Sequence, residues 1–279
     1  MIIKRIIDVI LFYRVKDWPH LLGITLLGFV YNNTFINFYD LATAIIIGSS
    51  YLAHGYSLND IYDNQVKIKI NSKTAIVLSL IALIFCLIIS SFVSITLLFI
   101  VSFGHLCGML YSIYPFRFKN KLFLDLVFNS LSLAPLFLIG YFSAQKNITT
   151  GSLLIFMLFS IYFVIIQLVH EMQDLKIDIQ YHQKNTLRLI GIQKTKQIIF
   201  LASFTYIVTS IVFFKLNVFR ITPATLSIVF AIMVISYIHQ KNITQNKLEN
   251  NKSGNLKLEM RYLSIIYGIS LLISFYLNF

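Results

Sequence analysis

Nine mostly apolar stretches, each close to a membrane's width in helix, recur along this chain near residues 18–36, 41–58, 74–93, 95–113, 122–143, 150–170, 197–214, 221–239 and 260–279. A helix needs about 20 apolar residues to cross the hydrocarbon core of a bilayer. Helices suit that solvent because they satisfy every backbone N–H and C=O within one segment. The pattern predicts an all-α, multi-pass transmembrane bundle of about nine helices, formed as a single domain over residues 1–279. Composition points the same way. Of 279 residues 57% are hydrophobic and 12% charged, and the mean hydropathy of +0.77 lies well above that of a water-facing chain.

The opening stretch, MIIKRIIDVILFYRVKDW, interleaves Lys4, Arg5, Asp8, Arg14 and Lys16 with apolar residues and reads as an amphipathic helix lying at the interface. Its apolar runs are too broken for a cleavable signal, and no small-residue cleavage site follows. The two cysteines, Cys86 and Cys107, fall inside predicted spans and suggest neither a disulfide nor a thiolate metal site. His54, His105 and His170 are scattered and read as packing or hydrogen-bonding residues. The polar stretch 239–260 predicts a long loop.

All but Lys146, Lys215 and Arg220 of the 23 Lys and Arg fall in the lead-in or in loops after even-numbered spans. Positive residues near span ends stay cytoplasmic, which assigns the N-terminus and those loops to the cytoplasmic side and the C-terminus to the outside. The net charge of +12 is thereby concentrated on one membrane face. Insertion topology and attraction to anionic lipid account for it. Nucleic acid is a poor partner for charges divided among short loops of a membrane protein.

Acids are scarce, yet five of the 11 sit in two short clusters: Asp60 and Asp63 after the second span, and Glu171, Asp174 and Asp178 after the sixth. If the helices run past the membrane boundary, Asn59 and Asp63 share one face at i, i+4. Glu171, Asp174 and Asp178 share another at i, i+3, i+7. Oxygen ligands at that spacing suit a hard cation such as Mg²⁺, which favours carboxylates, water and substrate phosphates. Between the clusters lies LYSIYPFRFKNKLFLD, residues 110–125, assigned to the same face. Pro115 ends or kinks its helix, leaving Arg117 and Lys119 to meet phosphate oxygens, with Tyr111 and Tyr114 as further donors. Each signal alone has a plainer reading: a solvated helix end for either acidic cluster, and positive-inside residues for Arg117, Lys119 and Lys121. Their coincidence on one face favours a seat for a diphosphate.

With NDIYD at 59–63, YSIYPFRFK at 111–119 and HEMQDLKIDIQYHQKNTLRLIG at 170–191, the sequence resembles the UbiA superfamily of intramembrane prenyltransferases over nearly its whole length. The resemblance implies a helical bundle around a cavity, capped on the cytoplasmic side by the motif loops. It also implies Mg²⁺ holding a prenyl diphosphate whose tail lies among the helices of a bacterial or archaeal cell membrane. Asn59, Asp63, Asp174 and Asp178 resemble the family's metal-binding positions. Asp60 and Glu171 resemble supporting ones, and Arg117 and Lys119 the diphosphate clamp. Arg14 resembles the basic residue near the first helix. Where the family's first motif continues to a third acid, this chain has Lys67, which can pair with Asp63 or meet the diphosphate itself.

The implied activity is a prenyl transfer in which charge on the departing diphosphate is neutralised and a carbocation-like fragment is attacked by an acceptor. Asp60 and Glu171 are, by location, the candidates for accepting a proton. An aromatic quinone precursor is the expected acceptor, as the family's commonest one. The alternatives are a glycerophosphate lipid, or phosphoribose transfer to a polyprenyl phosphate. A secondary transporter is the weaker rival, because transporters hold their acids near the midplane and these lie at span ends.

Overall fold

A computed structural model describes residues 2–31, 37–63, 71–145, 147–180, 183–218, 227–235, 265–266, 269–270 and 273. In chain order the helices are α1 (Ile2–Phe12), α2 (Pro19–Val30), α3 (Phe38–Tyr62), α4 (Ser72–Val93), α5 (Ile95–Ser112), α6 (Leu124–Leu133), α7 (Pro135–Ala144), α8 (Thr150–Gln180), α9 (Thr186–Ile190) and α10 (Ile192–Lys215). Short 3-10 turns cover Val15–Asp17 and Phe118–Asn120, and residues 227–235 are helical. No strand occurs among the described residues.

Local chemistry sets the boundaries. Pro19 opens α2, where its missing N–H costs nothing. Asn37 and Asn71 cap α3 and α4 by accepting the N–H groups of Tyr39 and Lys73 at 3.0 and 2.9 Å. Ser94 ends α4 and also starts α5, its hydroxyl accepting the Leu97 N–H at 3.1 Å. Pro135 divides what the sequence suggested as one span, 122–143, into α6 and α7.

Five stretches are long and apolar enough to cross a membrane: α4, α5, the α6–α7 stretch Leu124–Ala144, residues 150–176 of α8, and α10. Nine spans are not reached among the described residues. The helix in 18–36 is the 12-residue α2, which falls short of the membrane's width. At 25 residues α3 is long enough, but Ser49, Ser50, His54, Ser57, Asn59 and Asp60 dilute its apolar character. Most of 221–239 and 260–279, and the whole loop between them, lie outside the described residues.

The chain forms two units, residues 1–116 with 135–147, and residues 117–134 with 148–279. In the first, α2 packs along α7, and α3 packs against α4, α5 and α7. Gly28 and Gly140 let the α2 and α7 backbones touch: a Cβ on Gly140 would land on the Thr25 carbonyl, and one on Gly28 on that of Phe137. Helix α4 is inside out relative to a water-soluble helix. Ala75, Ser79, Ala82, Cys86 and Ser90 are buried against the protein, while Ile76, Val77, Leu80, Ile81, Ile84, Phe85 and Ile88 face outward. Small residues inward and large apolar ones outward is the arrangement of a lipid-facing helix. In the second unit, α8 packs against α6, α9 and α10. The Phe230 ring lies 5.4 Å from Tyr162 and 6.4 Å from Tyr206. At 1.5 Å per residue α8 is about 46 Å long, beyond the roughly 30 Å hydrocarbon thickness, so its C-terminal turns clear the apolar layer.

Candidate functional site

In the first unit the polar groups gather at the C-terminal end of α3. Asp60 is buried in the last turn, and Asp63 is the C-cap, its N–H donating to the Asn59 carbonyl at 2.9 Å. Arg14 reaches this end from the lead-in, in a left-handed backbone conformation (φ 54°) between α1 and the first 3-10 turn. Its Nη1 donates to Asp60 Oδ1 at 3.1 Å and its Nε to Asp17 Oδ2 at 2.9 Å, with the guanidinium 4.9 Å from the Tyr56 ring centroid. From the last turn of α5, Ser112 donates to Asn59 Oδ1 at 3.3 Å, and Tyr111 is half-buried beside it. The structure therefore joins Arg14, Asn59, Asp60 and Asp63. Lys67 lies outside the described residues.

In the second unit the extended end of α8 carries the other acids on one continuous helix. Glu171 and Asp178 are buried and Asp174 is half-buried. The Phe118–Asn120 turn follows the half-buried Arg117, which adopts φ 38°, and is pinned on α6 by the Phe118 and Phe128 rings, 4.3 Å apart. That turn buries Lys119, whose charge acts on Asp178. Burial, joined by the charge of Asp174, pushes the Asp178 carboxyl up to about 6. The Asn185 hydrogen bond and the charges of Arg188 and Lys119 pull the other way.

Sequence spacing did not reveal how this end is held. Asn185 Nδ2 donates to Asp178 Oδ2 at 2.6 Å, and its Oδ1 caps α9 by accepting the Arg188 N–H at 3.1 Å. Arg188 Nη1 donates to the carbonyls of Asp178 and Gln183 at 2.9 and 2.7 Å. Glu171 accepts the Leu187 N–H at 3.0 Å and Gln167 Nε2 at 3.2 Å, and Asn129 Nδ2 donates to Gln167 Oε1 at 2.9 Å. Asp125, in the first turn of α6, accepts both the N–H and the hydroxyl of Thr186. One signal was present for Asp125: an acid inside the expected span 122–143 is expensive unless something is built around it.

Asn59 and Asp63 in the first unit, and Asp174 and Asp178 in the second, each present side-chain oxygens, the donor type that suits a hard cation. Among the described residues no three His, Cys, Asp or Glu side chains converge as a metal cage. His54 and His105 instead face each other, Nδ1 to Nδ1 at 3.0 Å, as a buried pair.

Solved structures share this fold. A UbiA homologue from Archaeoglobus fulgidus bound to GPP and Mg²⁺ superposes with a TM-score of 0.75 at 16% identity, over 95% of this chain and 99% of its own. A digeranylgeranylglyceryl phosphate synthase superposes with 0.72 at 18% identity, over 96% and 99%. An apo UbiA homologue from Aeropyrum pernix K1 gives 0.68 at 14%, over 91% and 96%. Comparison with curated proteins by sequence found no match. The profile of the UbiA prenyltransferase family matches residues 21–265. With that match over most of its length, the chain belongs to the UbiA prenyltransferase family and is an enzyme of prenyl transfer.

Proposed function

We propose that this enzyme moves a prenyl group from a prenyl diphosphate to an aromatic quinone precursor, working as one catalytic domain whose motif loops face the cytoplasm. The observation that carries the diphosphate seat is the burial, within one unit, of Lys119 in the turn before α6 and of Asp178 at the end of α8. A buried cation and a buried carboxylate at that end suit a phosphate ligand accompanied by a divalent ion, which the carboxylate would help to hold.

In this reading Asn59 and Asp63 from α3, with Asp174 and Asp178 from α8, hold Mg²⁺. When bound, the ion supplies charge neutralisation for the departing diphosphate. Arg117 and Lys119 bind diphosphate oxygens, with Arg14, Tyr111 and Lys67 as further donors. Arg14 also holds Asp60, fixing in place a carboxyl group that can serve as the acceptor's base. Glu171 supports from behind, its oxygens already engaged by Leu187 and Gln167. The apolar tail partitions among the membrane helices, away from water that would quench a cationic fragment. The aromatic acceptor rests on the commonest role in the family, and a glycerophosphate lipid or a polyprenyl phosphate is the alternative.

The test is purified protein with labelled geranyl or farnesyl diphosphate, Mg²⁺ and a panel holding an aromatic acid, a glycerophosphate lipid and a polyprenyl phosphate with a phosphoribose donor. Diphosphate release with label on the aromatic product is expected, and label on another member replaces the acceptor assignment. Asp63→Ala and Asp174→Ala should each lower turnover by more than about a hundredfold with membrane insertion intact. Wild-type turnover in both would be incompatible with the metal assignment.

A further inference from the structure

Three consecutive residues at the start of α9 each engage a different buried acid. Asn185 donates to Asp178, the Thr186 N–H and hydroxyl donate to Asp125, and the Leu187 N–H donates to Glu171. Two of those acids belong to α8, and the third, Asp125, belongs to α6 and has no part in the diphosphate reading above.

Asp125 is 1% exposed, and besides Thr186 its carboxyl is hydrogen-bonded to that of Glu171, a contact that needs a proton shared between the two. Beyond Thr186, its Oδ1 accepts the N–H of Leu126 at 2.8 Å. The link to α9 also runs in reverse, because the Thr186 hydroxyl oxygen accepts the N–H of Phe123 at 2.9 Å. Phe123 precedes α6 at φ 60°, a conformation uncommon for a bulky residue and tolerated here under those hydrogen bonds. Four residues upstream is Lys119, in the turn that packs on α6. One residue before Thr186 is Asn185, which holds Asp178. A continuous set of hydrogen bonds thus ties the segment bearing the basic residue to the segment that orients the acidic one.

The cost of burying a carboxylate among apolar helices explains why this arrangement constrains so much. Asp125 is tolerated only while its donors stay in place, which makes the start of α9 one fixed position rather than a range of them. Orientation of a ligand by groups behind it is the ordinary way a cation site gains affinity. We propose that Asp125 is a positioning residue: by gripping Thr186 it fixes the start of α9, and through Asn185 it sets the direction in which Asp178 presents its carboxylate to a divalent cation. The proposal rests on the diphosphate reading, in which Asp178 is a cation ligand.

The test measures cation binding instead of turnover. Full-length protein in lipid nanodiscs is titrated with Mn²⁺ in the presence of geranyl S-thiolodiphosphate, and bound metal is counted by electron paramagnetic resonance. Asp125→Asn and Thr186→Val should weaken Mn²⁺ by about tenfold or more with the number of ions per protein unchanged. Thr186→Ser, which keeps the hydroxyl, should restore wild-type affinity. A role confined to holding the fold together would instead lower the binding-competent fraction, or the melting temperature, at unchanged Kd, and that result overturns the proposal. Wild-type affinity in both variants does so too. Thr186→Val leaves every carboxylate in place and decides the matter if Asp125→Asn does not fold. No analogue-dependent Mn²⁺ binding by the wild type would sink the diphosphate reading itself, a separate failure.

Discussion

The raised Asp178 carboxyl gives a pH dependence that can be worked out in advance. With its midpoint held up to about 6 by burial and by Asp174, Asp178 is roughly one-tenth ionised at pH 5 and about nine-tenths ionised at pH 7. A divalent cation binds the ionised form, so protons and metal compete for the same oxygens. The apparent affinity for Mg²⁺ should therefore rise about tenfold between pH 5 and pH 7 and level off above. Diphosphate release is measured against Mg²⁺ concentration at closely spaced pH values with saturating prenyl diphosphate, and the half-saturating concentration is read at each. The substrate's own diphosphate titrates in a similar range, and a variant separates the two. Asn185→Ala removes a hydrogen bond that favours the ionised carboxylate, so the Asp178 midpoint should move to higher pH while that of the substrate stays where it was. Stability carries the opposite sign. Without metal, the folded protein binds more protons than the unfolded chain between the ordinary carboxylate pKa of about 4 and the folded value of about 6, so the contribution of Asp178 weakens as pH rises through that window. Mg²⁺ with a bound diphosphate analogue should then raise the melting temperature more at pH 7 than at pH 5. A half-saturation that is flat from pH 5 to pH 7, or an Asn185→Ala midpoint shifted downward, would refute the reasoning.

Two further outcomes are expected in the first unit. Gly140→Ala drives a Cβ into the Thr25 carbonyl and should cost about 1–3 kcal/mol as α2 and α7 separate, whereas Gly55→Ala, with nothing within 4 Å, should be neutral or slightly stabilising; thermal unfolding in one detergent compares them. Equal melting temperatures would mean that the close approach is not needed. Arg14→Ala removes partly exposed ion pairs to Asp17 and Asp60, so stability should change by less than about 1 kcal/mol while KM for the prenyl diphosphate rises several-fold; an unchanged KM would remove Arg14 from the diphosphate contacts.

What the sequence disclosed follows from how far each physical signal reaches along the chain. The lengths of α4 and α5 were legible because apolar runs report the solvent directly, whereas α8 and α10 run on past their expected spans, 150–170 and 197–214, into polar residues that apolar length does not register. The acidic end of α8 was legible because Glu171, Asp174 and Asp178 repeat at helical spacing within a single helix. The division at Pro135 was less so. A proline can kink a span or end it, and only the packing of the segments on either side decides. Partners distant in sequence were not legible at all: Arg14 finds Asp60 46 residues away, and Asp125 finds Thr186 61 residues away.

Asp125 also shows that clustering is an incomplete guide to a membrane protein's polar machinery. Acids grouped at a span end can be solvated, so several together carry only modest information about burial. A single acid buried as fully as Asp125, even in the first turn of an apolar stretch, has no water to turn to and is kept only where other parts of the chain supply partners. At Asp125 the partners are the N–H and hydroxyl of Thr186, the N–H of Leu126 and the Glu171 carboxyl, and of these Thr186 is one that no composition or periodicity would single out. Burial of that one acid in the first turn of α6 is therefore a strong constraint. It requires α6 and α9 to meet at one fixed place, and the residue before Thr186 then holds Asp178, the carboxylate whose ionisation sets the pH dependence above.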